Sequence, residues 1–166
     1  MSMSDLLSNF DPSQFLDATT TEAATRRPPL PVGDYVGTLG EPKSRTWESK
    51  KPDAKVKSGV AVDVPVTISV QSYLSTFSPE NQKIFKDVDQ VTITTGIMLD
   101  LNDGGMIDWG VGRNGAMRRW REALDMNKPG EAFSIRMMQG RQVKVKIKHR
   151  VYEGEFFDEI DSVSKP

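Results

Sequence analysis

Residues 59–70 read GVAVDVPVTISV, and this stretch decides the fold class of the chain. From Val60 to Val70 a β-branched residue occupies every second position, so one face of an extended strand is continuously apolar. Pro65 falls on the opposite face, where it predicts an edge or a bulge. A second strict alternation, QVKVKI at 142–147, puts valine and isoleucine on one face and lysine on the other. Both stretches predict strands of a mainly β protein.

The remaining elements follow from the same kind of periodicity. Apolar residues at helical spacing, with Asn114 as the cap, predict the main helix over 114–126. A polar, basic loop is expected over 43–58, and a strand-like piece at 106–109 is expected to follow the hairpin turn at 102–105. Shorter patterns predict strands at 33–39, 90–101 and 156–163 and a helix at 78–88.

These elements follow one another as strand, strand, strand, helix, strand, strand. That order matches an OB-like five-stranded Greek-key barrel with a helix between strands 3 and 4, and we assign it to residues 30–166. The apolar or helical surroundings of Trp109 and Trp120 predict that both rings lie in its core. Residues 1–29 are polar and proline-containing and predict a mobile N-terminal arm, in which Asp11 precedes a proline as the start of a brief helix.

Composition excludes several kinds of site. The 166 residues include no cysteine, which excludes disulfides and thiolate metal sites, and a single histidine, His149, which excludes a multi-histidine site. No apolar run approaches the ~20 residues that a membrane span needs, and the first residues lack the features of a secretory signal. We therefore expect a soluble, intracellular, non-enzymatic protein with no cofactor and no metal.

The charge is segregated along the chain although the net charge is only −1. Residues 111–150 carry eleven basic and three acidic side chains, and residues 43–57 carry six and two. Residues 1–25 and 153–166 are acidic instead. Clustered positive charge is typical of a surface that binds polyanions, although solvated faces of ordinary strands and helices explain it equally well.

The basic strand favours the first interpretation. Lys144, Lys146 and Lys148 share one face at a spacing of about 6.6–6.8 Å, close to that of successive phosphates in an extended single strand. Trp47 and Tyr152 have polar surroundings in which an exposed ring can stack on a base. The residues predicted to contact DNA are Trp47, Lys50, Lys51, Arg113, Arg118, Arg141, Lys144, Lys146, Lys148, Arg150 and Tyr152.

Two other motifs give only weak support for a nucleotide site or a metal site. Residues 110–115, GVGRNG, fit the dinucleotide pattern G-x-G-x-x-G, but that fingerprint needs a parallel βαβ unit and an acidic residue at a strand end about 20 positions later. Glu131 stands near that distance in a Pro-Gly loop. Asp100, Asp103 and Asp108 lack the spacing of a calcium loop and are better explained as turn residues.

The chain resembles phage-encoded single-stranded DNA-binding proteins of the OB-fold kind. The resemblance is carried by LPVGDY at 30–35, the β-branched strand that follows Gly59, MRRWREALDM at 117–126 and GRQVKVKIKHRVYEGEFFDEIDSV at 140–163. It implies coating of single-stranded DNA in phage replication or recombination, in the cytoplasm of the infected bacterial host. Replication or recombination proteins are the implied protein partners, and self-association stays open.

Two alternatives remain. A phage structural or assembly protein would use the β-barrel as an interaction module, with the long arm docking between subunits. A nucleotide-dependent enzyme built on the glycine-rich turn is the weaker alternative. The lysine strand separates the first from DNA binding, because a structural protein has no need for Lys144, Lys146 and Lys148 to act together.

Overall fold

The computed structural model describes residues 2–166 and has a mainly β architecture, as predicted. Six antiparallel strands form one open sheet in the order β2–β3–β1–β5–β6, and β4 pairs with the other edge of β3. The strands are β1 (Gly33–Leu39), β2 (Lys43–Glu48), β3 (Ser58–Ser69), β4 (Gln90–Leu99), β5 (Gln142–Tyr152) and β6 (Glu155–Ser164). The α-helices are α1 (Met3–Leu7), α2 (Pro12–Asp17), α3 (Pro79–Phe85) and α4 (Gly115–Ala123).

The prediction of a loop over 43–58 is wrong for its first part, which forms the additional strand β2. Strand β2 pairs with the first half of β3, from Lys43 opposite Asp63 to Glu48 opposite Ser58. Apart from Trp47, its residues are polar on both faces, so no hydrophobic alternation marks it in the sequence. The sheet consequently has six strands where five were predicted.

Pro65 lies where β3 changes its partner from β2 to β1. The ladder with β2 ends at Asp63, and the ladder with β1 begins at Val66. A residue without an N–H is tolerated at this break because no strand there requires the bond. The chain crosses the break at Gly40, whose amide donates to the Pro65 carbonyl at 2.8 Å and whose Cβ, if it had one, would lie 2.8 Å from the proline ring.

The core lies on the inward face of the sheet, beneath α4. Val62, Val64, Val66 and Ile68 of β3 are buried there, as their alternation predicts, together with the inward residues of β5. Trp120 of α4 is also buried, as predicted. The described part of the chain contains no helix long and apolar enough to cross a membrane.

The prediction that Trp109 lies in the core is wrong. Its side chain is 48% exposed, and its ring contacts Phe133, with centroids 5.9 Å apart, and the Arg121 guanidinium, 5.4 Å from the ring centroid. The strand-like piece predicted at 106–109 is reduced to one bridge between Leu101 and Ile107. Without a ladder to direct it inward, Trp109 stays at the surface of the glycine-rich turn.

The N-terminal arm is attached to the β5–β6 hairpin at its base. Arg27 forms two hydrogen bonds with Asp158, at 2.9 and 3.2 Å, and the Leu30 amide donates to the same carboxylate at 2.8 Å. His149 is exposed, and its Nε2 lies 2.6 Å from the Leu30 carbonyl. Asp11 caps α2 by accepting from the Ser13 amide, so the expected brief helix forms.

Tyr35 predicts an alkaline limit to stability. Burial raises the pKa of Tyr35 to about 12, helped by Tyr73 and Asp158, whereas an unfolded tyrosine has a pKa near 10. The folded state favours the neutral phenol, so this stabilisation is complete below pH 10 and is lost as the pH rises towards 12. Tyr35→Phe should remove about 2–3 kcal/mol of that loss, measured by urea unfolding at pH 8 and pH 11.5. An identical alkaline loss in wild type and variant would contradict the assignment.

Candidate nucleic-acid interface

The outward side of strands β2, β3 and β4 forms a surface that we call the β2–β4 face. Register places Ala61 between Arg45 of β2 and Met98 of β4, and it places Trp47 opposite Gly59. Small residues therefore line the middle strand, and long side chains lie across them from β2. The members of the face are Lys43, Arg45, Trp47, Gly59, Ala61, Asp63, Gly96 and Met98.

Trp47 packs closely against β3 because its cross-strand neighbour, Gly59, has no side chain. A Cβ on Gly59 would lie 2.9 Å from the indole atoms Cζ2 and Nε1, so only glycine lets the ring come this close. The ring is half-buried, and its Nε1 is buried without a hydrogen-bond partner in the described structure. With the exposed Met98 and Leu101, it lines a cavity of about 390 Å³.

Arg45 is a functional candidate that sequence reasoning missed. Its Nε donates to the Asp63 carboxylate at 2.8 Å, yet 45% of its side chain stays exposed, so other guanidinium donors are available to a ligand. Gly96 lies opposite Asp63, and a Cβ on it would be 3.3 Å from both the Arg45 guanidinium and the Asp63 carboxylate. The alternation of Lys43, Arg45 and Trp47 is the sequence signal for this face, and the prediction of a loop over 43–58 concealed it.

The connection from β2 to β3 carries more positive charge beside Trp47. It closes at its base through the Ser49 amide, which donates to the Lys57 carbonyl at 2.6 Å. Four exposed lysines extend from it, two of which are among the predicted DNA contacts: Lys50, Lys51, Lys55 and Lys57. The β2–β4 face thus has cations along one border.

Arg113 supplies a further cation beside the β2–β4 face. It lines the Trp47 cavity and also a second cavity of about 290 Å³ beside the glycine-rich turn. Its Nε is 3.4 Å from Asp108, and it remains 59% exposed. The structure therefore brings together two of the predicted DNA contacts, Trp47 and Arg113.

Asn114 holds this turn against the end of β4. Its side chain accepts from the Asp100 amide at 2.8 Å and donates to the carbonyls of Asp100 and Asp108 at 3.1 and 2.7 Å. Its own amide donates to the Asp100 carboxylate at 2.7 Å. Asn114 is the N-cap residue of α4, as predicted, but its side chain makes no capping hydrogen bond because it is committed to the turn.

The lysine strand points outward as predicted, since Val143, Val145 and Ile147 are buried behind it. Lys148, however, lies between Asp161 and Glu159 of β6, at 3.2 and 3.3 Å. These carboxylates raise the pKa of Lys148, Asp161 contributing most. Arg150 is 3.3 Å from the same Glu159, so β6 neutralises part of the predicted basic strand.

The lysine strand and Trp47 occupy different parts of the sheet. Trp47 pairs with Gly59, whereas β1, the strand between β3 and β5, reaches β3 only at Val66–Ile68. The nine positions from Gly59 to Ile68 correspond to roughly 30 Å along β3. The two groups of predicted contacts therefore do not form one compact cluster within the sheet.

The other predicted contacts lie at three further places. Tyr152, 56% exposed, is at the tip of the β5–β6 hairpin, where the Arg150 guanidinium lies 5.9 Å from its ring centroid. Arg141 directly precedes β5 and lines a separate cavity near the end of α4. Arg118 lies on α4, 3.8 Å from Glu122.

Comparison with protein-family models matches no family, and comparison with curated proteins finds no significant match. Among residues 2–166, no three His, Cys, Asp or Glu side chains lie together as metal ligands. The ladders on either side of residues 110–115 are antiparallel, so the glycine-rich turn lies outside a parallel βαβ unit. A function must therefore be inferred from the geometry of the β2–β4 face.

Proposed function

We propose that the protein binds single-stranded DNA, without catalysis, on the β2–β4 face. The observation that carries this proposal is the Trp47 ring, which lies on Gly59 with Arg45 beside it on the same strand. An aromatic ring on an open sheet can stack on any base, for about 1–3 kcal/mol. The loop lysines and Arg113 supply cations beside this ring for the phosphates. In line with the resemblance, the activity would be the coating of single strands in phage replication or recombination.

We infer that the sheet is a partly open OB-type barrel. In this interpretation β1 and β2 together are its first strand, interrupted at Gly40, and α4 follows the third strand, β4. Contacts between β4 and β6 bring the two ends of the sheet together without a ladder. OB folds bind oligonucleotides on the face of strands 2 and 3 and with the loops beside it. Those strands would be β3 and β4, and the first of these loops would be 49–57.

The β5–β6 hairpin would be the second loop of such a barrel. Tyr152 and the outward lysines of β5 stay predicted contacts in this arrangement, as an outer part of the path. Lys148 and Arg150 would have to exchange their carboxylate partners on β6 for phosphates. We therefore assign most of the affinity to the β2–β4 face.

Titration with oligonucleotides tests the proposal. We expect submicromolar binding of fluorescent single-stranded DNA and much weaker binding of the matching duplex, whose bases are already stacked. If about four phosphates are neutralised, log Kobs should fall against log salt with a slope of about −3, or roughly 50-fold between 50 and 200 mM. The same titration with RNA measures the DNA preference. Absence of binding at low salt would exclude the proposed function.

The arm favours a second candidate, a structural or assembly role. Phe15 and Leu16 of α2 are 70% and 81% exposed, and the Phe10 ring packs only against Phe15, with centroids 5.5 Å apart. Exposed aromatic residues on a short capped helix are typical of a segment that docks on a partner.

Under the assembly role we expect the intact chain to self-associate and the Phe10→Ser, Phe15→Ser double variant to be monomeric. Size-exclusion chromatography with light scattering measures the difference. Met106→Ser is the control, since Met106 is 70% exposed at a hairpin outside the arm. A monomeric wild type would exclude self-association through the arm.

A further inference from the structure

A second cavity adjoins the β2–β4 face. It lies between the glycine-rich turn and the start of α4 and has a volume of about 290 Å³. We call it the Trp109 pocket. An indole, a glycine and three guanidinium groups are among its lining residues: Trp109, Gly112, Arg113, Arg118 and Arg121.

The aromatic part of the pocket is held in place and accessible. Trp109 is 48% exposed, and its ring contacts the edge of Phe133 at an interplanar angle of 88°. The Arg121 guanidinium lies 4.3 Å from the Phe133 centroid and 5.4 Å from that of Trp109. Its Nε donates to the Met126 carbonyl at 3.1 Å, which fixes the guanidinium beside the ring. A surface indole with an arginine at its side is suited to a base and its phosphate.

The charge of the pocket also favours an anion. Three guanidinium groups line it, and the carboxylates nearest to two of them lie at long distances. Arg118 lies 3.8 Å from Glu122 with both side chains more than half exposed, and Arg113 lies 3.4 Å from Asp108. Exposed pairs of this kind contribute only about 0–1 kcal/mol, so a phosphate can replace the carboxylate.

The pocket is continuous with the β2–β4 face through one side chain. Arg113 lines both cavities, so a strand that leaves the Trp47 cavity meets the Trp109 pocket next. Gly110 and Gly112 line the pocket without side chains, and Val111 between them is fully exposed. We propose that single-stranded DNA continues past Arg113 and that one further nucleotide binds here. Its base stacks on Trp109 and its phosphate contacts Arg118 and Arg121.

This inference rests on the proposed function and adds a length requirement to it. Short oligonucleotides fill the β2–β4 face alone, and longer ones also reach the Trp109 pocket. OB-type sites cover about 4–16 nucleotides, so oligo-dT of about 4 and about 14 nucleotides separates the two cases. We expect Trp109→Ala to weaken the long oligonucleotide roughly 5- to 100-fold and to leave the short one unchanged.

Two matched variants identify the interaction. Trp109→Phe should recover most of the lost affinity, because it keeps a ring that can stack. Arg118→Ala should reduce the salt slope by about 0.7 for the long oligonucleotide only, as expected for one phosphate contact fewer on a single strand. Circular dichroism melting of each variant verifies that the fold is retained.

A measurement on the unaltered pocket removes any dependence on folding. In Trp47→Phe the remaining tryptophans are Trp109 and the buried Trp120, so quenching by DNA reports on Trp109. We expect quenching by the long oligonucleotide and not by the short one. Equal affinities of wild type and Trp109→Ala at both lengths, or no length-dependent quenching, would overturn the inference while DNA binding by the wild type preserves the proposed function. Failure of the wild type to bind either length would exclude both.

Discussion

Trp47→Ala should weaken single-stranded DNA binding by about 1–3 kcal/mol, or roughly 5- to 150-fold in Kd, because it removes the stacking surface of the β2–β4 face. The ring is already positioned in the free protein by the space above Gly59, so it binds a base at little cost in side-chain entropy. The slope of log Kobs against log salt should stay unchanged, since no phosphate contact is lost. Titration of wild type and variant at several salt concentrations measures both quantities.

Substitutions on both sides of this contact provide its controls. Trp47→Phe should retain a large part of the affinity. Gly59→Ala keeps the indole but introduces a Cβ 2.9 Å from it, so the ring must move off the strand and binding should weaken as well. Tyr152→Ala, an exposed aromatic residue at the tip of the β5–β6 hairpin, should have the smaller effect. If Tyr152→Ala costs more affinity than Trp47→Ala, the main interface lies on the hairpin and the assignment of the β2–β4 face is wrong.

Hydrophobic alternation was sufficient to locate five of the six strands. It detects strands that have one buried face, such as β3, where Val62 to Ile68 point into the core. It does not detect β2, where Lys43, Arg45 and Trp47 lie on one face and two hydroxyl residues on the other. Such a strand forms because β3 offers it an open edge, and that edge is a property of the assembled sheet.

Cross-strand register limited what could be predicted of the site. Gly59 became informative only when β2 placed Trp47 opposite it. The carboxylates beside Lys148 come from β6. A shift of register between Lys146 and Ile147 decides which residues of β6 lie opposite the end of β5. The number of lysines on β5 therefore does not predict that carboxylates of β6 neutralise part of their charge. Trp109 was misassigned for a related reason, since its burial depended on a ladder that does not form.

Asn114→Ala should destabilise the protein by about 3–5 kcal/mol, the largest effect on stability that we expect from one substitution. Asn114 is 4% exposed, and truncation leaves the Asp100 amide and two carbonyls without their partners, at about 1–3 kcal/mol for each buried group left unsatisfied. The residue also has φ 52° and ψ 49°, a left-handed conformation that asparagine tolerates better than alanine. Urea unfolding followed by tryptophan fluorescence and circular dichroism measures the loss.

Two variants separate the hydrogen bonds from the backbone conformation. Asn114→Gly loses the same side-chain bonds but relieves the left-handed strain, so it should be about 1 kcal/mol more stable than Asn114→Ala. Asn102→Ala is the matched control, because the Asn102 side chain also binds backbone groups. It accepts from the amides of Gly104 and Met106, but in an exposed turn where water can replace it. Asn114 joins the end of β4 to the turn that carries Arg113, so its loss should weaken DNA binding as well as folding. Equal stability of the variants Asn114→Ala and Asn102→Ala would mean that this network does not hold the turn, and the shared wall of the two cavities would lose its physical explanation.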